Sequence, residues 1–302
     1  MNKEKNFLSS VIYLHDNQQN AVDFFNELDA LLADRFEKYE YIVVDDACDE
    51  GTINRIKEWA QNRTCPLTIV HLSLYHGKES AMNAGLDAAI GDYIFEFDTA
   101  QNLFDINIVF QAYELALQGN DIVCVCPTHV KLSSRLFYKI FNRNSRSKYE
   151  LQTDAFRLVS RRAINRVHAS NSYMPYRKAA YAASGLKMVS LSFDGSVQDG
   201  SNGRMSLAID SLALYTDAGF KLSIGITLFM MAAALFELIY TIVIYCIGKP
   251  IEGWTTMMLV MTFGFLGLFI ILSIIIKYLS LNMDMIFRKQ KYLVESVEKI
   301  QK

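Results

Sequence analysis

The sequence has almost no excess of either charge, and its cysteines are few. Its 302 residues carry a formal net charge of -2, so no basic excess points to a nucleic-acid partner. Of the five cysteines, Cys124 and Cys126 alternate along a probable strand and cannot easily face one metal ion. We therefore expect reduced, structural thiols. The N-terminus also lacks a signal-peptide pattern, because its apolar run is short and no cleavage signal follows.

Ionisable side chains are nearly absent from two long stretches close to the C-terminus. From residue 253 to residue 276 there is no Asp, Glu, Lys or Arg, and between residues 222 and 248 Glu237 is the only one. Each stretch exceeds the roughly 20 residues that a helix needs to cross a bilayer. We predict transmembrane helices at residues 221–248 and 253–281. Two buried helices of a soluble core are the alternative, which the lack of a polar face disfavours.

The charges around these stretches predict their orientation. The short connection between them has one basic residue, Lys249. Four basic residues follow the second stretch: Lys277, Arg288, Lys289 and Lys291. By the positive-inside rule, the N-terminal domain and the C-terminal tail lie in the cytoplasm. The expected location is the cell inner (plasma) membrane, with more than one crossing.

Strands and helices alternate along the first 130 residues. Apolar runs predict strands at residues 9–14, 41–44, 67–72, 93–97 and 121–126. Nearly continuous apolar strands at βαβ spacing are typical of a parallel sheet that is covered on both faces. We therefore predict an α/β domain over residues 1–203. An interfacial helix is predicted at residues 204–220, with a core helix as the alternative, and a charged tail at residues 282–302.

Acidic side chains follow two of the predicted strands. Asp98 comes directly after residues 93–97, and Asp45 and Asp46 come after residues 41–44. Open α/β sheets bind ligands outside the carboxyl ends of their strands, where an acid can hold a ribose, a base or a metal. For the pair Asp45 and Asp46, surface acids that cap a turn are the alternative. No second acid follows Asp98 closely, because Ala100 stands two residues later.

The order of several segments gives a resemblance to a known family. They are VVDDACDEGT, LYHGKESAMNAGLDAAIGD, FEFDTAQN, SSRLFYKIFNR and DAFRLVSRR, followed by the two apolar stretches, the second opening with GWT. This order resembles the family-2 inverting glycosyltransferases of the GT-A fold. More narrowly, it resembles the dolichol-phosphate mannose synthase group and its bacterial polyprenyl-phosphate relatives. The resemblance covers about residues 9–300.

The resemblance implies a GT-A domain, Rossmann-like with a mostly parallel sheet, followed by two transmembrane helices. It implies transfer of a sugar from a nucleotide sugar to polyprenyl phosphate for cell-surface glycan synthesis, by a homo-oligomer. Nucleotide-binding residues implied in this way are His15, Asp45, Asp46, Lys78 and Asp98. The residues implied near the acceptor phosphate are Arg135, Arg157 and Arg204. Catalytic roles are implied for Asp98, Asp154 and Arg157, and metal binding for Asp98 and Asn102.

Several positions depart from the pattern of the family. Ala100 replaces an acid that normally binds the divalent metal, Mg²⁺ or Mn²⁺, and Asn17 replaces a glutamate. Ala155 stands where an acid belongs, with Asp154 one residue early. Two hypotheses follow: an active glycosyltransferase with a relaxed metal site of Asp98, Asn102 and Asp105, or a catalytically inactive homologue that acts as a binding or scaffold subunit. A transporter or channel is disfavoured, because two membrane helices are few.

Overall fold

A computed structural model describes most of the chain, which forms two compact units. One unit contains the residues up to Ser196 together with the C-terminal stretch from Tyr292, and the other contains the two long apolar helices. The described residues are 3–16, 20–145, 147–170, 174, 176–196, 218–248, 251–286 and 292–300.

The first unit is built on one mixed sheet of eight strands. The strands are β1 Leu8–Asp16, β2 Tyr39–Cys48, β3 Leu67–Leu72, β4 Tyr93–Phe97, β5 Ile122–His129, β6 Phe156–Ser160, β7 Met188–Ser196 and β8 Val294–Ile300. Their order across the sheet is β7-β5-β6-β4-β1-β2-β3-β8. The four central strands, β4, β1, β2 and β3, are parallel, whereas β6 and β8 run antiparallel to their neighbours.

Seven helices belong to the first unit and two to the second, among the described residues. They are α1 Ala21–Arg35, α2 Glu50–Gln61, α3 Lys78–Ala88, α4 Asn107–Leu117, α5 Leu132–Asn144, α6 Arg161–Ser170, α7 Arg177–Ala183, α8 Ala218–Ile247 and α9 Trp254–Ile286. The five predicted strands are confirmed as β1 to β5. The structure adds β6, β7 and β8, which the sequence pattern did not predict.

The central strands are apolar because they are covered on both faces. Val11 and Ile12 of β1 and Val43 and Val44 of β2 are all fully buried. Against them, α3 packs closely through Gly85: a Cβ at this position would lie 2.5 Å from Cγ1 of Val11. Such close packing fixes α3 against β1 and β2.

The second unit consists of α8 and α9, so the two apolar stretches are helical, and their crossing of a membrane stays a prediction. Residues Ser223–Ile247 and Trp254–Ile276 are each long and apolar enough to cross a membrane. Most of the large apolar side chains described along both helices are exposed, as Phe236 and Phe263 are, at 71% and 62%. Of the interfacial helix predicted at residues 204–220, only the start of α8 lies within the described residues.

The predicted tail, residues 282–302, is not a separate segment. Helix α9 continues to Ile286, and β8 then pairs antiparallel with β3 at the edge of the sheet. Side-chain contacts fasten this strand: Lys57 Nζ lies 2.6 Å from Oε2 of Glu298, and the hydroxyl of Tyr292 donates to Asp87. Part of the predicted charged tail is therefore an edge strand.

Candidate active site

Three neighbouring parallel strands bring acidic residues to one edge of the sheet. Strands β1 and β4 end at or beside Asp16 and Asp98, and Asp45 lies shortly before the end of β2 at Cys48. The backbone there is unusual: Asp16 and Ala47 have φ angles of 59° and 57°, in the left-handed region that non-glycine residues rarely adopt. Strained backbone of this kind concentrates at functional sites. This edge is therefore the candidate active site.

Asp98 is bound by a cation on each of its carboxylate oxygens. Lys78, the first residue of α3, places its Nζ 3.2 Å from Oδ2, and Arg177, the first residue of α7, donates from Nη2 to Oδ1 at 2.7 Å. The side chains of Lys78 and Asp98 are 20% and 14% exposed, whereas that of Arg177 is 0% exposed. Lys78 and Asp98 are thus the accessible end of a larger group of charges.

A buried network of ion pairs continues inward from Asp98. Arg157 of β6 places Nη1 3.0 Å from Oε2 of Glu96, its partner across the β4–β6 ladder. Arg177 reaches the same Glu96 oxygen at 2.5 Å and places Nε 2.9 Å from Glu79. The network contains four acids, Glu79, Glu96, Asp98 and Asp154, and four bases, Lys78, Arg157, Arg177 and Lys178. Equal numbers of opposite charges make such burial tolerable.

Burial and neighbouring charges act in opposite directions on the acids of the network. Burial by itself would raise the pKa of Asp98, but attraction to Lys78, Arg177 and Arg157 outweighs it and holds this pKa well below its usual range. For Glu96, burial is the stronger effect and raises the pKa despite Arg177 and Arg157. Asp98 is therefore a carboxylate at neutral pH, with its charge already compensated by the chain.

Asp154 joins this network although it is displaced by one position from the family pattern. Its Oδ2 accepts a hydrogen bond from Nε of Arg157 at 2.9 Å, and Lys178 forms an ion pair with its Oδ1. Ala155, which stands at the family's acid position, is buried in the apolar core. Arg157 is 1% exposed and its described contacts are with carboxylates. The catalytic and acceptor roles of Asp154 and Arg157 stay predictions.

The two acids of β2 have different environments. Asp46 is fully buried, and it accepts hydrogen bonds from the backbone N–H groups of His76 and Gly77 at 2.7 and 2.9 Å. Asp45 is half-buried, and its Oδ2 lies 2.7 Å from Nδ1 of His71. Asp46 thereby fixes the loop that leads into α3, and Asp45 is the more accessible acid. Nucleotide binding by both stays a prediction.

Other predicted residues lie around the same edge or away from it. His15 follows the body of β1 and places Nδ1 2.6 Å from the carbonyl oxygen of Asp46, with its ring 4.5 Å from that of Tyr75. Arg135 is exposed on α5. Asn17 and Arg204 lie outside the described residues.

Comparison with known proteins decides the family. The sequence model described as glycosyl transferase family 2 matches residues 23–184, which is more than half of the chain. The chain belongs to glycosyl transferase family 2. It is a glycosyltransferase with the predicted GT-A fold. An uncharacterized glycosyltransferase of Synechocystis sp., sll0501, is 25% identical, and the alignment covers 96% of this chain and 95% of that protein.

Two solved structures of sugar transferases are similar to this chain at low sequence identity. The mannosyltransferase PcManGT from Pyrobaculum calidifontis, in complex with GDP-Man and Mn²⁺, is 16% identical with a TM-score of 0.48, over 90% of this chain and 88% of that one. Glucosyl-3-phosphoglycerate synthase from Mycobacterium tuberculosis, in complex with Mn²⁺, UDP-Glc and phosphoglyceric acid, is 14% identical with a TM-score of 0.49, over 69% and 78%.

The residues of this family-2 chain do not fit a divalent metal at Asp98. Ala100 is fully buried in the core, and Asp105 accepts a hydrogen bond from the backbone N–H of Asn107 at the start of α4. Within the described ranges, no group of three or more His, Cys, Asp or Glu side chains could hold a metal ion. Both oxygens of Asp98 also already have cationic partners, Lys78 and Arg177. The relaxed site with Asn102 stays without support from this geometry.

Sequence reasoning missed half of the network: Glu79, Glu96, Arg177 and Lys178. A signal existed for Glu96, because a charged residue inside the apolar run of β4 requires a buried partner. Arg177 carries no comparable local signal. Its partners Glu79, Glu96 and Asp98 lie far away in the sequence, and only the fold brings them together.

Proposed function

We propose that this family-2 glycosyltransferase transfers a sugar from a nucleotide sugar to the phosphate of a polyprenyl lipid, for cell-surface glycan synthesis. The observation that carries the proposal is the accessible Lys78–Asp98 pair at the carboxyl edge of the parallel strands, with Asp45 on a neighbouring strand. A nucleotide sugar lying along this edge would place its anionic diphosphate at Lys78 and its nucleoside near Asp45.

The chemistry that this edge has to perform is a single displacement with inversion at the sugar. An oxygen of the acceptor phosphate forms the new bond to the anomeric carbon while the bond to the diphosphate breaks. The acceptor oxygen is already anionic, so no strong general base is needed. The main requirement is a cation near the departing diphosphate. Lys78 is the network cation that combines charge with exposure at this edge.

Helix α5 supports a lipid-borne acceptor because it exposes both apolar and basic side chains. Leu132 and Leu136 are 81% and 59% exposed, and Ile140 continues their row at 43%. The exposed basic residues Arg135, Lys139 and Arg143 recur every four positions beside this row. Polyprenyl phosphate combines an apolar chain with an anionic head, so its chemistry matches this face.

The chain path supports a membrane location with both ends of the chain on one side. Strand β8 belongs to the same sheet as β1, so a chain that leaves this unit through α8 has to return through α9. With the positive flanks predicted from the sequence, that side is the cytoplasm. The proposal therefore includes a two-crossing protein of the plasma membrane, and its assembly as a homo-oligomer.

A transfer assay on the full-length protein in detergent tests this function. The protein is incubated with polyprenyl phosphate and, in turn, radiolabelled UDP- and GDP-sugars, and the labelled lipid product is measured after extraction. Wild-type protein should form product with at least one donor, Lys78→Met should lose it, and the matched exposed control Lys38→Met should keep it. Binding of nucleotide without transfer to any carrier would support the binding-subunit alternative. A folded protein that binds none of the nucleotides would overturn the proposal.

A further inference from the structure

Arg177 cannot leave Asp98 when a ligand arrives. Its backbone N–H and its Nε both donate to Oε2 of Glu79, at 3.0 and 2.9 Å, and its Nη1 contacts Glu96. These bonds fix the guanidinium independently of Asp98, and its side chain is 0% exposed. The positive charge of Arg177 therefore stays beside Asp98 when a ligand binds at the carboxyl edge of the strands.

Lys78 differs from Arg177 because it is accessible and because Asp98 does not depend on it alone. Its position is set by the loop before α3, whose His76 and Gly77 N–H groups bind the buried Asp46. Arg177 binds the other oxygen of Asp98. The ammonium group of Lys78 can therefore move toward an anion at the carboxyl edge of the strands, and Asp98 still has a cationic partner. The ammonium group acts as a point charge and needs little precision to meet a phosphate.

We propose that Lys78 binds the diphosphate of the nucleotide sugar directly, while Arg177 positions and neutralises Asp98, so that the reaction needs no divalent metal. The inference rests on the proposed function and concerns how the negative charge on the diphosphate is stabilised. During transfer, the electron pair of the breaking bond goes to the diphosphate oxygen, and an acceptor oxygen supplies the pair for the new bond. One negative charge thus passes from acceptor phosphate to diphosphate, no proton has to move, and Lys78 stabilises the charge where it arrives.

Equilibrium dialysis of radiolabelled UDP and GDP against the full-length protein in detergent tests the proposal. Binding is measured with EDTA and again with excess Mn²⁺, and folding is checked by thermal unfolding in both buffers. The expected result is binding of one nucleotide with dissociation constants that agree within about twofold in the two buffers, a difference well under 1 kcal/mol.

Asp98→Asn separates the two accounts most sharply, because they predict opposite results. If Asp98 were a metal ligand, the amide would weaken nucleotide binding strongly. Under the proposal, the substitution removes a competitor for Lys78, so the affinity in EDTA should be unchanged or higher. Arg177 keeps Glu79 and Glu96 as partners in this variant, which favours folding.

Variants of the two cations complete the test. Lys78→Met should weaken nucleotide binding in EDTA about tenfold to a hundredfold, the range for a hydrogen bond to a charged group, and Lys78→Arg should restore most of it. The exposed Lys38→Met serves as the matched control. Arg177→Gln removes the fixed cation from one oxygen of Asp98, so Mn²⁺ should then tighten nucleotide binding, a response that a purely structural role would not produce. If Arg177→Gln does not fold, the Asp98→Asn result decides.

The outcomes separate this inference from the function on which it rests. Nucleotide binding that requires Mn²⁺, or that Asp98→Asn abolishes, would overturn metal independence and leave the transferase proposal intact. Binding in EDTA that Lys78→Met does not weaken would overturn the role of Lys78. A folded wild-type protein that binds neither nucleotide, with or without Mn²⁺, would overturn both proposals.

Discussion

Replacing Arg177 by methionine should destabilise the domain more than any surface substitution. The side chain is 0% exposed and contacts three carboxylates, those of Glu79, Glu96 and Asp98. Methionine fills much of the volume but removes the positive charge, so these acids lose their shared partner. Breaking a buried ion pair by removing one member costs about 3–5 kcal/mol. That loss is a large part of the roughly 5–15 kcal/mol that stabilises a typical domain.

Tryptophan fluorescence can measure this loss in the first unit alone. The chain has two tryptophans, Trp59 in the core beside Phe25 and Tyr41, and Trp254 at the start of α9. In a Trp254→Phe background, urea unfolding in detergent reports on Trp59. With a urea slope of about 2 kcal/mol/M, the expected loss lowers the midpoint by about 1.5–2.5 M.

Two further variants decide whether the buried charges are the cause. Arg55→Met, on an exposed face of α2, should change stability by no more than about 0.5 kcal/mol. Adding Glu79→Gln to Arg177→Met should recover part of the loss, because it removes one of the unpaired acids. The reasoning would be refuted by an Arg177→Met midpoint within about 0.5 M of wild type, since that shift corresponds to roughly 1 kcal/mol.

Three other predictions concern the frame around the site. Gly85→Ala should lower the free energy of unfolding by about 1–3 kcal/mol and the urea midpoint with it, because the added methyl group would lie 2.5 Å from Cγ1 of Val11. Burial raises the pKa of Asp121, but hydrogen bonds that include one from Arg162 outweigh it, so the folded pKa is lowered. The pairing therefore stabilises the fold above the unfolded pKa of about 3.9, and this contribution is lost as the pH falls through the lower folded pKa. Asp121→Asn should therefore flatten the acid limb of a curve of stability against pH. A chain stopped before Tyr292 leaves the edge of β3 unpaired, and light scattering should show self-association beyond that of the full chain.

The sequence predicted the central sheet well because its strands are buried on both faces. Each of β1 to β5 is a short apolar run, and such runs have few other structures available to them. The strands it missed break that rule. Arg157 interrupts the apolar pattern of β6, and β8 is a charged edge strand in which Val294 and Val297 remain 42% and 52% exposed. Half-exposed strands resemble loops or amphipathic tails in a sequence.

The candidate site could be predicted in part for a similar physical reason. Asp98 and Lys78 were found because strand ends and helix starts are readable from local patterns. Arg177 and Glu79 were not found, because they are distant in the sequence and only the folded chain brings them into contact. The pattern did show that Ala100 supplies no ligand, but it could not show that a fixed guanidinium stands beside Asp98.

The last strand of the sheet has a consequence for the order of synthesis. A ribosome completes β1 to β7 first and then makes α8 and α9, and only afterwards releases the residues of β8. The edge of β3 therefore stays unpaired until both long helices have been made. Lys57, His71 and Asp87 meet their partners beyond α9 only after that. In this protein, the strand that closes the sheet is separated in sequence from the rest of the sheet by the whole second unit.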